Sequence, residues 1–220
     1  MAGTDGPADP APPGRPGPVR RLVSVAPGSR FEGTAGPGGE LWFVIAGRGR
    51  LDAGGLRGAA AGRNAGVWIP PGLGYRLDAD AGVPRLLLDA VALPGGGEIA
   101  AAPQAPRLSE LRDCEVERTG DRRFRVLFGP GRGCEAATQF VGEIPPGRAP
   151  EHSHPYNELV LVLEGEGVAH VGGTDQALAP GTRLHLPPGQ PHCLENTGPA
   201  TLVVLGVFHP GGSPAQKAAG

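Results

Sequence analysis

Lysine is almost absent: of 20 basic residues only Lys217 is a lysine, and the rest are arginines scattered along the chain. Their longest clusters are the pairs Arg20-Arg21 and Arg122-Arg123, and the net charge is −2. A basic face that could follow a nucleic acid backbone is missing, which excludes nucleic acid as a partner. Cysteine is scarce too. Cys114, Cys134 and Cys193 are odd in number and show no CxxC spacing, so neither a disulfide framework nor a zinc ribbon is indicated and reduced thiols are the default. No apolar run approaches the roughly 20 residues that cross a bilayer, and the N-terminus lacks the basic start and apolar stretch of a signal peptide. The chain therefore reads as soluble and cytoplasmic, with no membrane partner. Helical periodicity is also missing. Only at 105–112, where Pro106 and Ser109 accompany Leu108 and Leu111, does a short helix fit, as a connector.

Glycine and proline are abundant instead, 39 and 26 residues, a level at which low complexity is the first suspicion. Their location argues otherwise. Residues 1–18 hold 4 glycines and 6 prolines and read as a disordered arm, and 212–220 reads as a disordered tail. Between them, apolar runs such as LWFVI, RLLLDAVAL, LVLVL and TLVVLGVF alternate with Gly and Pro turns, the pattern of short strands in an ordered all-β protein.

The body repeats itself. Glu40-Leu41-Trp42-Phe43-Val44-Ile45-Ala46-Gly47 lies over Glu158-Leu159-Val160-Leu161-Val162-Leu163-Glu164-Gly165, Ile69-Pro70-Pro71-Gly72 over Leu186-Pro187-Pro188-Gly189, and Leu93-Pro94-Gly95 over His209-Pro210-Gly211. Three ordered matches divide the body into two homologous halves, each the size of a small domain. The expectation is two barrels in tandem, at 19–104 and 113–211, joined by 105–112.

In the second half, His152, His154 and Glu158 share one parity along an extended chain and project to one side. His192 follows the tight Pro187-Pro188-Gly189-Gln190-Pro191 turn and must arrive from another strand. These residues resemble the two motifs of the cupins. Gly147, His152, His154, Glu158 and Gly165 match the first, with four rather than five residues between Gly147 and His152. Gly181, Pro187, Gly189, His192 and Asn196 match every fixed position of the second. The resemblance implies a double-stranded β-helix, a jelly-roll barrel, and the repeat makes the whole chain similar to a bicupin. In the first half the corresponding residues are Thr34, Gly36, Glu40 and Tyr75. One carboxylate without an imidazole does not hold a transition metal, so that barrel is expected to be metal-free, with Trp42, Trp68 and Tyr75 filling a core or a small pocket.

Three neutral imidazoles and one carboxylate suit one divalent transition ion, Fe, Mn, Ni, Cu or Zn, with Fe or Mn preferred. Four protein ligands leave a six-coordinate ion two open positions, whereas a structural zinc site is closed and richer in Cys. Tyr156, Gln139 and Arg148 are the further candidates: a hydrogen-bond donor to substrate or an aromatic cover at the barrel mouth, a residue on the strand before the first motif, and a partner for a substrate carboxylate. The resemblance implies a dioxygenase-type oxidoreductase acting on a small metal-chelating substrate, and a homodimer. Two alternatives stay open, a non-oxidative Lewis-acid enzyme (isomerase, decarboxylase, lyase or hydrolase) and a non-catalytic small-molecule-binding module.

Overall fold

The computed structural model of the chain describes residues 3–4, 17–95 and 105–215, and no α-helix occurs among them. The chain is all-β and divides into two compact units. The first runs to Asp113 and includes Gly131–Ala136. Its strands are β1 (Gly3–Thr4), β2 (Val19–Val25), β3 (Arg30–Thr34), β4 (Glu40–Ala46), β5 (Arg48–Ala53), β6 (Leu56–Gly62), β7 (Ala65–Ile69), β8 (Gly74–Ala79), β9 (Leu86–Ala92) and β10 (Arg107–Glu110). The second unit holds β11 (Glu117–Thr119), β12 (Arg122–Phe128), β13 (Thr138–Ile144), β14 (Gly147–Arg148), β15 (Asn157–Glu164), β16 (Gly167–Val171), β17 (Thr174–Leu178), β18 (Arg183–Leu186), β19 (His192–Asn196) and β20 (Leu202–His209).

The units share one topology. Strand orders β2-β9-β4-β7 and β3-β8-β5-β6 in the first become β13-β20-β15-β18 and β14-β19-β16-β17 in the second, two antiparallel sheets per unit, the arrangement of a jelly-roll barrel. Sequence pattern separates the two sheets. In β5 and β8 burial alternates strictly, with Leu51, Ala53, Tyr75 and Leu77 inside and arginines outside, as an antiparallel sheet with one wet face requires. In β4 and β15 an unbroken run of five residues is buried on both faces, as their continuous apolar sequence requires. Val44, Leu51, Val67, Ile69 and Leu88 centre the core of the first unit, and Val160, Val162, Leu184, Leu194 and Leu202 that of the second. Each such side chain contributes about 1.5–3 kcal/mol by burial.

Turn chemistry repeats with the strands. In Pro70–Leu73 and Pro187–Gln190 the fourth amide donates to the first carbonyl, at 3.2 and 3.1 Å. Proline stands second in each turn and glycine third, Gly72 with φ 70° and Gly189 with φ 76°, the left-handed value that a type II turn needs there.

Three expectations are corrected. Residues 107–110 form a strand, not a helix, and pair with the edge strand β7 from Arg107↔Trp68 to Glu110↔Ala65. Four residues gain more from an open sheet edge than from a helix too short to nucleate, and only a single 3-10 turn follows, at Leu111–Asp113. The start of the tail is held in place: Thr138 Oγ1 donates to Gly212 O at 2.7 Å, and Tyr156 Oη donates to Ser213 O at 3.4 Å. Trp42, Trp68 and Tyr75 are all buried as expected: Trp42 and Tyr75 fill the barrel, edge to face at 4.6 Å, and Trp68 packs on the other face of its sheet. Within the arm expected at 1–18, Gly3–Thr4 pairs with β2. Residues 1–2, 5–16 and 216–220 of the arm and tail lie outside the described residues.

Candidate metal centre

The backbone brings the two histidine motifs together. His152 and His192 exchange reciprocal amide-to-carbonyl hydrogen bonds, at 3.0 and 2.8 Å. The amide of Gly189, in the turn just before His192, donates to the carbonyl of His154 at 2.7 Å. Glu158 enters from β15, where it pairs with Leu186 on one side and Phe208 on the other. Asn196 closes the second motif as a brace: its buried amide donates to Ile144 O and Ala200 O, and its carbonyl accepts from Gly198.

The side chains converge accordingly. One ring nitrogen from each of His152, His154 and His192 lies within 4.8 Å of the others, and Glu158 Oε2 stands 3.2 Å from His192 Nε2 and 3.6 Å from His154 Nε2. His152 Nδ1 lies 3.2 Å from Pro150 O and His192 Nδ1 lies 2.8 Å from Gln190 O. A carbonyl can only accept, so in the neutral rings these contacts place the proton on Nδ1 and the lone pair on Nε2, the tautomer a metal ligand needs. His154 is held by packing instead, stacked on Tyr156 at 4.9 Å and 10° and flanked by Phe208.

Charge in this pocket is unbalanced without a cation. Burial pushes the His154 imidazole down to about 4, against the pull of Glu158. His152 is lowered by burial and by the neighbouring His192. At His192 burial works in the same direction, but the adjacent Glu158 carboxylate outweighs it and the imidazole is raised. With the proton of the neutral ring on Nδ1, His192 has no N–H to give Glu158 Oε2, 3.2 Å from its Nε2, and that oxygen is buried without a donor. A buried carboxylate oxygen without a donor is costly, and a divalent cation among the three imidazoles would satisfy it. The donor set fits the ion that the sequence implied.

Two neighbouring cavities open on the centre, of about 290 Å³ and about 80 Å³. His152, His154, Arg122, Thr119 and Pro214 line both, and Glu158, Phe124, Phe140 and Phe208 line the smaller. The other candidates stand elsewhere. Tyr156 is buried among Phe124, Phe140 and Phe208 with its hydroxyl turned to Ser213 O, and burial, with Glu158 next, pushes its phenol up to about 12. Gln139 alternates with Phe140, which faces the cavity, so its side chain leaves the sheet on the other face. Arg148 is exposed and pairs with Glu195 on β19, on the face shared with Cys193 and away from His192.

Arg122 was not singled out by motif. In the sequence Arg122-Arg123 is only a charge cluster, yet alternation in Arg122-Arg123-Phe124-Arg125-Val126 separates its members. Arg122 shares the parity of Phe124 and Val126, which pack inside the barrel, while Arg123 and Arg125 pair with Glu143 at 2.9 and 2.7 Å, Arg123 and Glu143 reaching the edge of the smaller cavity.

Residues 140–208 match the family model described as a cupin domain. No curated protein matches the chain in sequence. Among solved structures, the chain is similar to protein Ylba from E. coli, at 12% identity and TM-score 0.72, covering 88% of this chain and 77% of that one. It is similar to oxalate decarboxylase OxdC of Bacillus subtilis, at 15% identity and TM-score 0.71, with 90% and 70% covered. A cupin 2 conserved barrel domain protein from Leptotrichia buccalis aligns at 16% identity and TM-score 0.64, with 95% and 89% covered. At such identities the likeness is one of fold.

Proposed function

We propose that the chain is a tandem cupin whose second barrel is a metal-dependent enzyme, with His152, His154, Glu158 and His192 holding one divalent transition ion and a small chelating substrate undergoing oxygenation. The observation that carries this reading is the convergence of three imidazoles on a buried carboxylate oxygen without a donor, at the wall of a cavity. A divalent ion bound there supplies Lewis-acid polarisation of a substrate oxygen and, if it is iron or manganese, redox reactivity toward dioxygen.

The chain's own groups do the rest. The Pro150 and Gln190 carbonyls keep two imidazoles in the ligating tautomer. Tyr156 and Phe208 fix the plane of the third. Phe124, Phe140 and Phe208 make the wall dry, which strengthens every charge interaction at the centre. In the first barrel Glu40 accepts from Arg21 at 2.9 Å and from Trp42 Nε1 at 2.8 Å. An arginine's fixed charge there answers the carboxylate, in keeping with a supporting, metal-free barrel.

Metal analysis of protein from its native host, with oxygen uptake on a panel of small oxygen-donor substrates, tests the reading. Iron or manganese with substrate-dependent uptake is expected; zinc with turnover but no uptake would replace oxygenation by non-oxidative Lewis-acid chemistry. His154→Ala should abolish metal binding and leave the circular dichroism of the β-fold unchanged. Stoichiometric metal in that variant would refute the ligand assignment.

A further inference from the structure

We infer that Arg122 is the substrate-anchoring residue of the second barrel and that the substrate is a small carboxylate with a second oxygen donor. Arg122 opens β12 directly after the two-residue turn Gly120-Asp121, and Thr119, Gly120 and Asp121 line the larger cavity with it. Its parity aims it inward, along the row of Phe124 and Val126. It is the one residue of the Arg122, Arg123, Arg125 group without an acidic partner: the other two share Glu143. Among the described residues no carboxylate lies within ion-pair distance of Arg122. Asp121, beside it, and Glu158, in the cavity, act on it only at longer range. Among the described residues its side chain makes one hydrogen bond, a 3.3 Å contact from a terminal nitrogen to Leu194 O.

A half-buried guanidinium with spare N–H groups and no counter-ion is poorly solvated and poorly paired at once. Its planar fork matches a carboxylate bidentately, which is the way such a group is best satisfied. Arg122 and the histidines His152 and His154 line the same cavities, so a compact molecule that offers a carboxylate to Arg122 can present a second oxygen to the centre. A volume of about 290 Å³ is at the low end for ligand sites and admits a small metabolite, not a polymer. The carboxylate half of the inference stands on Arg122 alone; the second donor rests on the metal reading.

The test uses isothermal titration of the full chain loaded with Mn(II), with glycolate and its neutral amide, glycolamide, as probes. Wild type should prefer glycolate. Arg122→Gln should weaken glycolate by about tenfold or more, the size of a lost charge-assisted pairing, and leave glycolamide and metal content unchanged. Arg122→Lys, which keeps the charge without the fork, should fall between them, and Arg118→Gln, an equal charge change on an exposed residue of β11, should bind like wild type. Wild-type glycolate affinity in a folded, metal-loaded Arg122→Gln overturns the inference; if that variant does not fold, wild-type affinity in Arg122→Lys does so. Failure of wild type to take up metal overturns the metal reading separately, and the comparison of glycolate with glycolamide on that protein still decides the role of Arg122.

Discussion

Glu40 and Glu158 occupy matching places in β4 and β15 and meet different partners. Glu40 faces the guanidinium of Arg21 and the indole N–H of Trp42, whereas Glu158 faces imidazoles and keeps one oxygen without a donor. The first unit carries a second charged pair, Arg20 with Asp89 at 3.0 Å, both side chains almost fully buried. Losing one member of a buried ion pair is strongly destabilising, so Asp89→Ala should destabilise the first unit by about 3–5 kcal/mol; denaturant unfolding followed by tryptophan fluorescence checks it, because both tryptophans lie in that unit. His170, half-buried on the outer face of β16, is held between Glu195 Oε2 at 2.9 Å and Asp175 Oδ1 at 2.6 Å. Glu195 first and Asp175 next raise its imidazole pKa, with burial and Arg148 opposing. Its stabilising contribution is therefore complete below the ordinary histidine value of 6.5 and is lost as pH rises through the higher folded value. NMR titration should find His170 above 6.5 in wild type and lower in Glu195→Gln.

Strands and turns carry the internal repeat further than residue matches do. Both β4 and β15 slip register against their neighbour at the same point, between Val44 and Ala46 and between Val162 and Glu164. After each bulge comes a glycine in the left-handed region, Gly47 at φ 76° and Gly165 at φ 86°, pressed on the backbone of the returning strand. A side chain at Gly165 would be strained in φ and would sit 2.7 Å from Thr201 O, so Gly165→Ala should cost about 1–3 kcal/mol in thermal unfolding. Gly206 has a different reason. It faces Phe140 across β13 and β20, and a Cβ there would overlap the phenyl ring that walls the cavity; Gly206→Val should lower the melting temperature and disturb the Phe140 ring signals by NMR. The repeated sequence blocks make β4, β15 and their glycine turns legible in the sequence. Strand β10 was not legible, because Leu108 and the Pro106 before it fit a helix start as well as a strand, and only the open edge of β7 decides between them.

At the scale of the whole chain, the two units predict a local response to metal. Ions that bind only the folded site stabilise it by mass action, about 2.7 kcal/mol at a concentration one hundred times the dissociation constant. Hydrogen exchange should therefore slow on adding Mn(II) in β15 and β19, around Glu158 and His192, and stay unchanged in β4 and β8 around Glu40 and Tyr75; equal protection in both units would count against a single centre. Period-2 alternation, turn glycines and motif spacing are local properties of a chain, so the all-β class, the two-fold repeat and the candidate ligands His152, His154, Glu158 and His192 are legible in the sequence. Tertiary structure alone decided what Arg122, Gln139, Arg148 and Tyr156 face. A side chain's parity is fixed only relative to its own strand, and which parity meets the cavity depends on the partners that the strand finds across the sheet. Gln139 and Arg148 fall on the outer side of that choice, Tyr156 is packed beneath His154, and Arg122, one of the few arginines that stood out only as a pair, turns inward beside the centre.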